Sequence, residues 1–354
     1  MSPVGKVLWW GRFDPDYSRN RVVRELLRQL DYELSDFMPH WPLRSDWEAR
    51  WRQLPRPAFV WVPCFRQRDV LSAARWARHQ KVPLVFDPLI SAYDKQVFER
   101  NKFRPDSWRA RRLLRKERRQ MQQADLLIAD TDAHSRFFAE TFDIPSERLA
   151  TVHVGAEEGL FYPRHVTSRD AGAPVEVLFY GSFIGLQGPQ TIVDAARLYR
   201  GPPVVWRLVG DGPLLVECRR RAKGLTTVQF EPWKPYAQLP EIICAADIVL
   251  GIFGTSDKAA RVIPNKVYQA LACGKPLVTR FSPAYPAVMR ERPAGVEWVE
   301  PGSPESLCAA VAKLAAEPTR FAESGVLARR SYEEHFSMQS IREQLRTALT
   351  QLTL

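Results

Sequence analysis

Apolar residues fall along this chain in short continuous runs, separated by stretches in which they recur every three or four positions. In the first half the runs are KVLWW, AFVWVP, VPLVF, ADLLIAD and ATVHV, and their length and β-branched content predict strands. Between them, SRNRVVRELLRQL and DVLSAARWARHQ place apolar side chains on one helical stripe. The second half repeats the pattern with VEVLFYG, VVWRLVG, TTVQFEP, ADIVLGIF, KPLVTRF and GVEWVE. Runs that are continuous rather than alternating belong to strands buried on both faces, as in parallel sheets covered by helices. The stretch YPRHVTSRDAGAP, 162–174, is polar, contains glycine and proline, has no period, and reads as a linker. The expected fold is therefore α/β, with two doubly wound, Rossmann-like domains over 1–165 and 175–330. A helical tail over 331–354 could pack on either of them. Doubly wound sheets bind ligands beyond the carboxyl ends of their strands, and in a two-domain arrangement those ends face each other across a cleft.

Charge changes the picture. The 354 residues carry a net charge of +11, and the segment Arg100–Arg119 alone holds ten basic residues against Asp106 and Glu117. Such a concentration suits nucleic acid, an anionic membrane or an anionic substrate. No helix-turn-helix, zinc-finger or RNP-like pattern accompanies it, so no nucleic-acid partner is expected. The stretch WRARRLLRKERRQM (108–121) instead reads as a helix for an anionic membrane surface, with Leu113 and Leu114 as its apolar face. Five scattered cysteines without a C-x-x-C pair point to free thiols in a reducing compartment, and no metal site is expected. No signal-peptide pattern and no run of about 18 apolar residues is present, which gives a cytoplasmic expectation, peripheral on the inner face of the membrane.

Three strand-to-helix turns of the second half are candidates for holding an anion. In FYGSFIGLQGPQTIVDAARLY, Gly181, Gly185 and Gly188 let backbone amides approach a ligand, yet the spacing is neither G-x-G-x-x-G nor a P-loop. LVGDGP, 208–213, reads as a tight turn. RVIPNKVYQALACGKPLVT begins a short helix at Asn265, a good N-cap, with Arg261 and Lys266 beside its positive end. Cations there are unfavourable unless an anion lies between them, and a diphosphate would supply one.

These segments carry a resemblance to the GT-B glycosyltransferases, and among them to the large retaining family 4 (glycosyl transferases group 1). VLFYGSFIGLQGPQTIVDAARLY resembles the family's strand–glycine–helix turn, and CAADIVLGIF with NKVYQALACGKPLVT resembles its nucleotide-sugar site. QQADLLIADTDAHSRFFAETFDIPSERLATVHVGAEEGLFYP is similar to the passage that enters the family's linker. The resemblance implies GT-B architecture and a retaining transfer of a sugar from a nucleotide-sugar donor to a hydroxyl of a glycan, lipid-linked or small-molecule acceptor, of the cell-envelope polysaccharide kind. It implies no metal and no cofactor beyond the donor as co-substrate, and no protein nucleophile. The departing diphosphate is stabilised by amides and cations and helps to deprotonate the acceptor.

The residues read above and the resemblance together give the candidate site. Arg261 and Lys266, with Asp87 and Asp94, are the candidate catalytic residues; Gly181, Ser182, Gly185, Asn265 and Gln269 are candidates for the donor. Trp233 and Lys234 are placed against base and ribose, with core packing open as another role for Trp233. Gly11, Arg12 and Arg19 follow the first strand where the family has its acceptor loop. His134 is an acceptor candidate, with a plain surface role also open. Asp87 stands near where the family often has a histidine, so it and Asp94 are open between binding hydroxyls and capping a turn. Two family glutamates, with seven residues between them, are matched by Arg261 and Gln269, and the basic pair of the first turn by Ser182 and Gln187. Those departures leave a second expectation, a catalytically silent nucleotide-sugar or glycan-binding protein.

Overall fold

The computed structural model describes residues 4–41, 44–164 and 172–352. Most of the predicted linker, 165–171, lies outside the described residues. The chain forms two units, one holding residues up to Gly155 together with Met338 onward, the other holding Ala156–Ser337. No described helix is long and apolar enough to cross a membrane.

In the first unit strand and helix alternate: β1 (Gly5–Trp10), α1 (Ser18–Gln29), β2 (Tyr32–Phe37), α2 (Ser45–Trp51), β3 (Phe59–Val62), α3 (Val70–Gln80), β4 (Leu84–Phe86), the short α4 (Ala92–Asp94), α5 (Trp108–Met121), β5 (Leu126–Ala129), α6 (Asp132–Phe142) and β6 (Leu149–Thr151). The six strands form a parallel sheet in the order β2-β1-β3-β4-β5-β6. β3 and β5 are buried at every position because helices cover both faces of the sheet. Trp9 and Trp61 stack on one face at 5.6 Å, under α1. Leu8 and Trp10 point to the other face, into a core with α2, α3, α5 and α6. The hydrophobic pattern does not reveal β2, YELSDF, because it is an edge strand with mostly half-exposed positions.

The second unit runs β7 (Val175–Tyr180), α7 (Pro189–Leu198), β8 (Val204–Val209), α8 (Leu215–Arg221), β9 (Val228–Glu231), α9 (Leu239–Ala245), β10 (Ile248–Leu250), α10 (Asn265–Ala272), β11 (Leu277–Arg280), α11 (Ala287–Glu291), β12 (Val296–Val299), α12 (Pro304–Ala316) and α13 (Phe321–His335). Its parallel sheet has the order β12-β11-β10-β7-β8-β9. The order reverses between β7 and β10, which puts the ligand-binding crevice of such a sheet just beyond Tyr180 and Leu250.

The tail is two helices rather than one. Phe336 is fully buried and meets the Tyr268 ring edge-on at 5.0 Å, which ends α13. A last helix, α14 (Met338–Leu349), lays Ile341, Leu345 and Ala348 on the α1 face of the first unit.

The expected apolar face of the 108–121 helix is corrected by the packing. Leu113 and Leu114 of α5 pack against the core of the first unit, so they are not available to a membrane.

Candidate functional site

Beyond β7 the chain turns sharply at Gly181, whose φ of 143° suits glycine. The turn after β8 packs directly on it: a Cβ on Gly210 would lie 2.0 Å from the Gly181 carbonyl oxygen, and one on Gly212 2.7 Å from the Phe183 nitrogen. The LVGDGP turn is therefore a packing partner of the first turn. A Cβ on Gly185, by contrast, would meet nothing within 4 Å. Its glycine leaves the space beside it open.

Lys266 dominates this edge. It lies in the first turn of α10, is 5% exposed, and points its ammonium inward over the Phe179 ring, 3.7 Å from the centroid. A Cβ on Gly181 would lie 3.1 Å from Nζ, so the amine sits against the glycine turn. Nζ has no hydrogen-bond partner among the described residues, and burial pulls the group well below the usual lysine range. The backbone N–H groups of Asn265 and Lys266 likewise find no acceptor among the described residues, as expected at a helix start. Asn265 is not the N-cap the sequence suggests. It is the first helical residue, after Pro264, and no side chain caps α10. Arg261, partly buried, closes the short helical turn Lys258–Ala260 just upstream.

Gln269 is committed to the protein. Tyr180 Oη donates to its Oε1 at 2.9 Å, and its Nε2 donates to Tyr236 Oη at 3.3 Å. Tyr236 Oη in turn donates to Glu157 at 3.1 Å. With Gln269 3% exposed, Tyr236 and Glu157 are the half-exposed members of this chain of bonds. Sequence reasoning missed Tyr180, Tyr236 and Glu157; the signal was the nearness of Tyr236 to Trp233 and Lys234. Trp233 is 58% exposed, which removes core packing as its role. Lys234 pairs with Glu231 at 3.0 Å, and Ser182 is half-buried at the turn.

In the first unit the charged candidates converge but lie beneath the surface. Arg19 Nε donates to Asp87 at 2.8 Å, and its Nη1 donates to the carbonyls of Val152 and His153 at 3.0 and 2.7 Å. His134 shares a hydrogen bond with Asp130 at 2.6 Å, and its Nε2 lies 4.0 Å from Asp94. Arg19, Asp87, Asp94 and His134 are all buried. They brace the carboxyl ends of β4 and β5 from within the unit, and the surface role left open for His134 is removed by its complete burial. Asp130, at the end of the LLIAD run, was the legible sign of this cluster and went unused. Asp87 holds the Arg19 guanidinium charged despite its burial. Gly11 is a packing requirement, since a Cβ there would lie 2.9 Å from Asp69 Oδ2. Arg12 is exposed and donates to the Pro39 carbonyl at 2.9 Å.

Residues 174–317 match the family model described as Glycosyl transferases group 1. Among solved structures, Anabaena HepE in complex with UDP superposes with a TM-score of 0.71 at 16% identity, over 98% of this chain and 99% of that one. Sucrose-phosphate synthase from Thermosynechococcus elongatus does so with a TM-score of 0.72 at 17% identity, over 99% of each chain. The fold is GT-B. Among curated relatives, a D-inositol 3-phosphate glycosyltransferase of Thermobispora bispora is 25% identical over 218 residues, 56% of this chain and 50% of its own. The chain matches half or less of the length of the first curated relatives, 34% in one and 50% in another. The resemblance read from the sequence thus holds in fold throughout and in family over 174–317. In this GT-B chain the first turn carries no cation, and the buried amine that reaches it comes from α10 instead.

Proposed function

We propose that the protein is a retaining glycosyltransferase of family 4, moving a sugar from a nucleoside diphosphate sugar to a hydroxyl of a glycan, lipid-linked or small-molecule acceptor. The observation that carries this reading is Lys266: a buried amine without a partner, aimed at a glycine turn where the strand order reverses. A diphosphate at that point would meet the amine, the free amides that open α10, and Arg261. As the glycosidic bond breaks, charge accumulates on the diphosphate, and donors fixed in advance stabilise it most when it is largest. That distribution of cations supports transfer without a metal ion. The exposed ring of Trp233 offers a stacking surface for the base, and Tyr236 a hydroxyl for the ribose. The departing phosphate oxygen takes the acceptor proton, so no protein base is assigned. A cell-envelope polysaccharide acceptor and a cytoplasmic, membrane-peripheral location complete the reading.

One observation favours a second reading, a silent nucleotide-sugar-binding protein: by the resemblance Arg261 and Gln269 stand where the family has glutamates, and the Gln269 amide is already held by Tyr180 and Tyr236. The relatives crystallised with UDP and UDP-glucose name the probes. Binding of UDP with release of glucose from UDP-glucose supports the transferase. Binding without turnover of any nucleotide sugar supports the silent protein, and no nucleotide binding at all overturns both.

A further inference from the structure

α2, α3 and α5 pack side by side on one face of the first sheet. Their outward surface has an unusual composition. These helices contain three acidic residues, Asp46, Glu48 and Glu117, and all three are buried. Each is consumed inside: Asp46 pairs with Arg75 at 2.8 Å, Glu48 with Arg52 at 2.6 Å, and Glu117 accepts from Ser91 Oγ at 2.8 Å. What faces outward is basic or tryptophan. Trp47 and Trp51, one turn apart on α2, are 73% and 83% exposed, and Trp108 at the start of α5 is 66% exposed. Arg112, Arg115, Lys116 and Arg119 of α5 are exposed and pair with no described carboxylate. Arg50 and Arg78 add to the same layer.

We infer that this three-helix layer is a docking surface for an anionic lipid bilayer, with Trp47 and Trp51 entering the interface and the basic residues of α5 lying on the headgroups. Exposed tryptophan is costly in water and favoured at the headgroup level, where its ring is buried and its N–H stays wet. A face without outward carboxylates is attracted along its whole width by anionic lipid, and the attraction is screened by salt. The inference rests on the membrane-peripheral part of the reading above and not on its transfer chemistry. It replaces a single amphipathic helix, whose leucines are half-buried against the core, by a surface assembled from three.

The test is co-sedimentation of the full chain with phosphatidylcholine vesicles, with and without phosphatidylglycerol, while UDP binding is measured on the same preparations. Wild type should sediment with the mixed vesicles only, and less so as salt rises. Trp47→Ala/Trp51→Ala and, separately, Arg112→Gln/Arg115→Gln/Arg119→Gln should each lower binding about ten-fold with UDP binding unchanged. All these side chains are exposed, so the fold tolerates their loss. Equal binding to neutral vesicles, or full binding by both variants, overturns the inference. So does displacement from the mixed vesicles by single-stranded RNA at a lower concentration than that of lipid, which would make the surface one for nucleic acid. Vesicle binding without binding of any nucleotide would support the inference and sink the transferase reading instead.

Discussion

Lys266 lies over the face of Phe179, its ammonium nitrogen 3.7 Å from the ring centroid and without a hydrogen-bond partner among the described residues. The ring offers a few tenths to about 2 kcal/mol of cation–π attraction, well short of the hydration a buried ammonium gives up. The empty site is therefore strained, and Lys266→Met, which keeps the stem and removes the charge, should relieve it. Ligand-free protein should gain on the order of 1 kcal/mol in urea unfolding, while UDP affinity falls roughly 10–100-fold, the worth of one charge-assisted hydrogen bond. A variant that loses stability and keeps its UDP affinity would show the amine to be a core element only.

The same group sets a pH dependence. Burial pulls Lys266 below the usual lysine range in the empty site, and a bound diphosphate pushes it back up, so the complex holds more protons than the free protein. UDP affinity should fall as pH rises from the empty-site value toward that of the complex. Unfolding runs the other way. The unfolded chain binds more protons there than the native one, so the empty protein should gain stability as pH rises toward the ordinary lysine value. Titration calorimetry in buffers of different ionisation heat would detect the proton taken up with UDP. No uptake, with an affinity flat in pH, would rule the linkage out. Lys266→Met should abolish the uptake.

Tyr180 and Gln269 form the second buried contact of this edge. The single Tyr180 phenol proton is shared between Gln269 Oε1 at 2.9 Å and the Lys266 carbonyl at 3.2 Å. Tyr180→Phe should cost about 1–3 kcal/mol, because it leaves the amide oxygen of Gln269 buried without its donor. Gln269→Glu should cost a similar amount, since the carboxylate cannot donate to Tyr236 as the amide does. Chemical denaturation measures both. Should Gln269→Glu instead prove neutral and raise UDP affinity, the amide would be a ribose ligand held back by its neighbours.

Much of this was legible before any coordinates. The inner strands of the second unit coincide with continuous apolar runs, because a strand covered on both faces leaves a plain signature, while its edge strands β9 and β12 alternate apolar and polar residues. β2 did not, since a partly exposed edge strand has no such signature. At the site, the place of Lys266 in the first turn of α10 was legible beside Asn265, but its inward direction was not. A helical spacing gives the residue's position, whereas the contact with Phe179 depends on a strand 87 positions earlier in the chain. The partners of the charged residues were hidden for the same reason. Arg19, Asp87 and His134 look like one set in sequence, and only the structure shows Arg19 paired with Asp87 and His134 with Asp130 inside the unit. Leu113 and Leu114 look like a membrane face until the core beneath them is seen.

Arg19 and Asp87 give the sharpest separation between a structural and a substrate-binding role. The guanidinium closes on the carboxylate and on two carbonyls of the 152–153 segment, so it ties α1, the end of β4 and the chain after β6 together. Removing one partner leaves an uncompensated charge in the interior, a loss of about 3–5 kcal/mol. Asp87→Ala and Arg19→Met should each destabilise by that order, and removing both should cost less than the sum of the two, because neither charge is then left alone. The proposed nucleotide site lies in the second unit, so on that reading UDP affinity in the folded fraction should stay at the wild-type value for all three variants. The measurement is a double-mutant cycle in urea unfolding, run beside UDP titration of the native protein. Additive losses would remove the coupling, and a collapse of UDP affinity in a stable Asp87→Ala protein would place Asp87 at the donor.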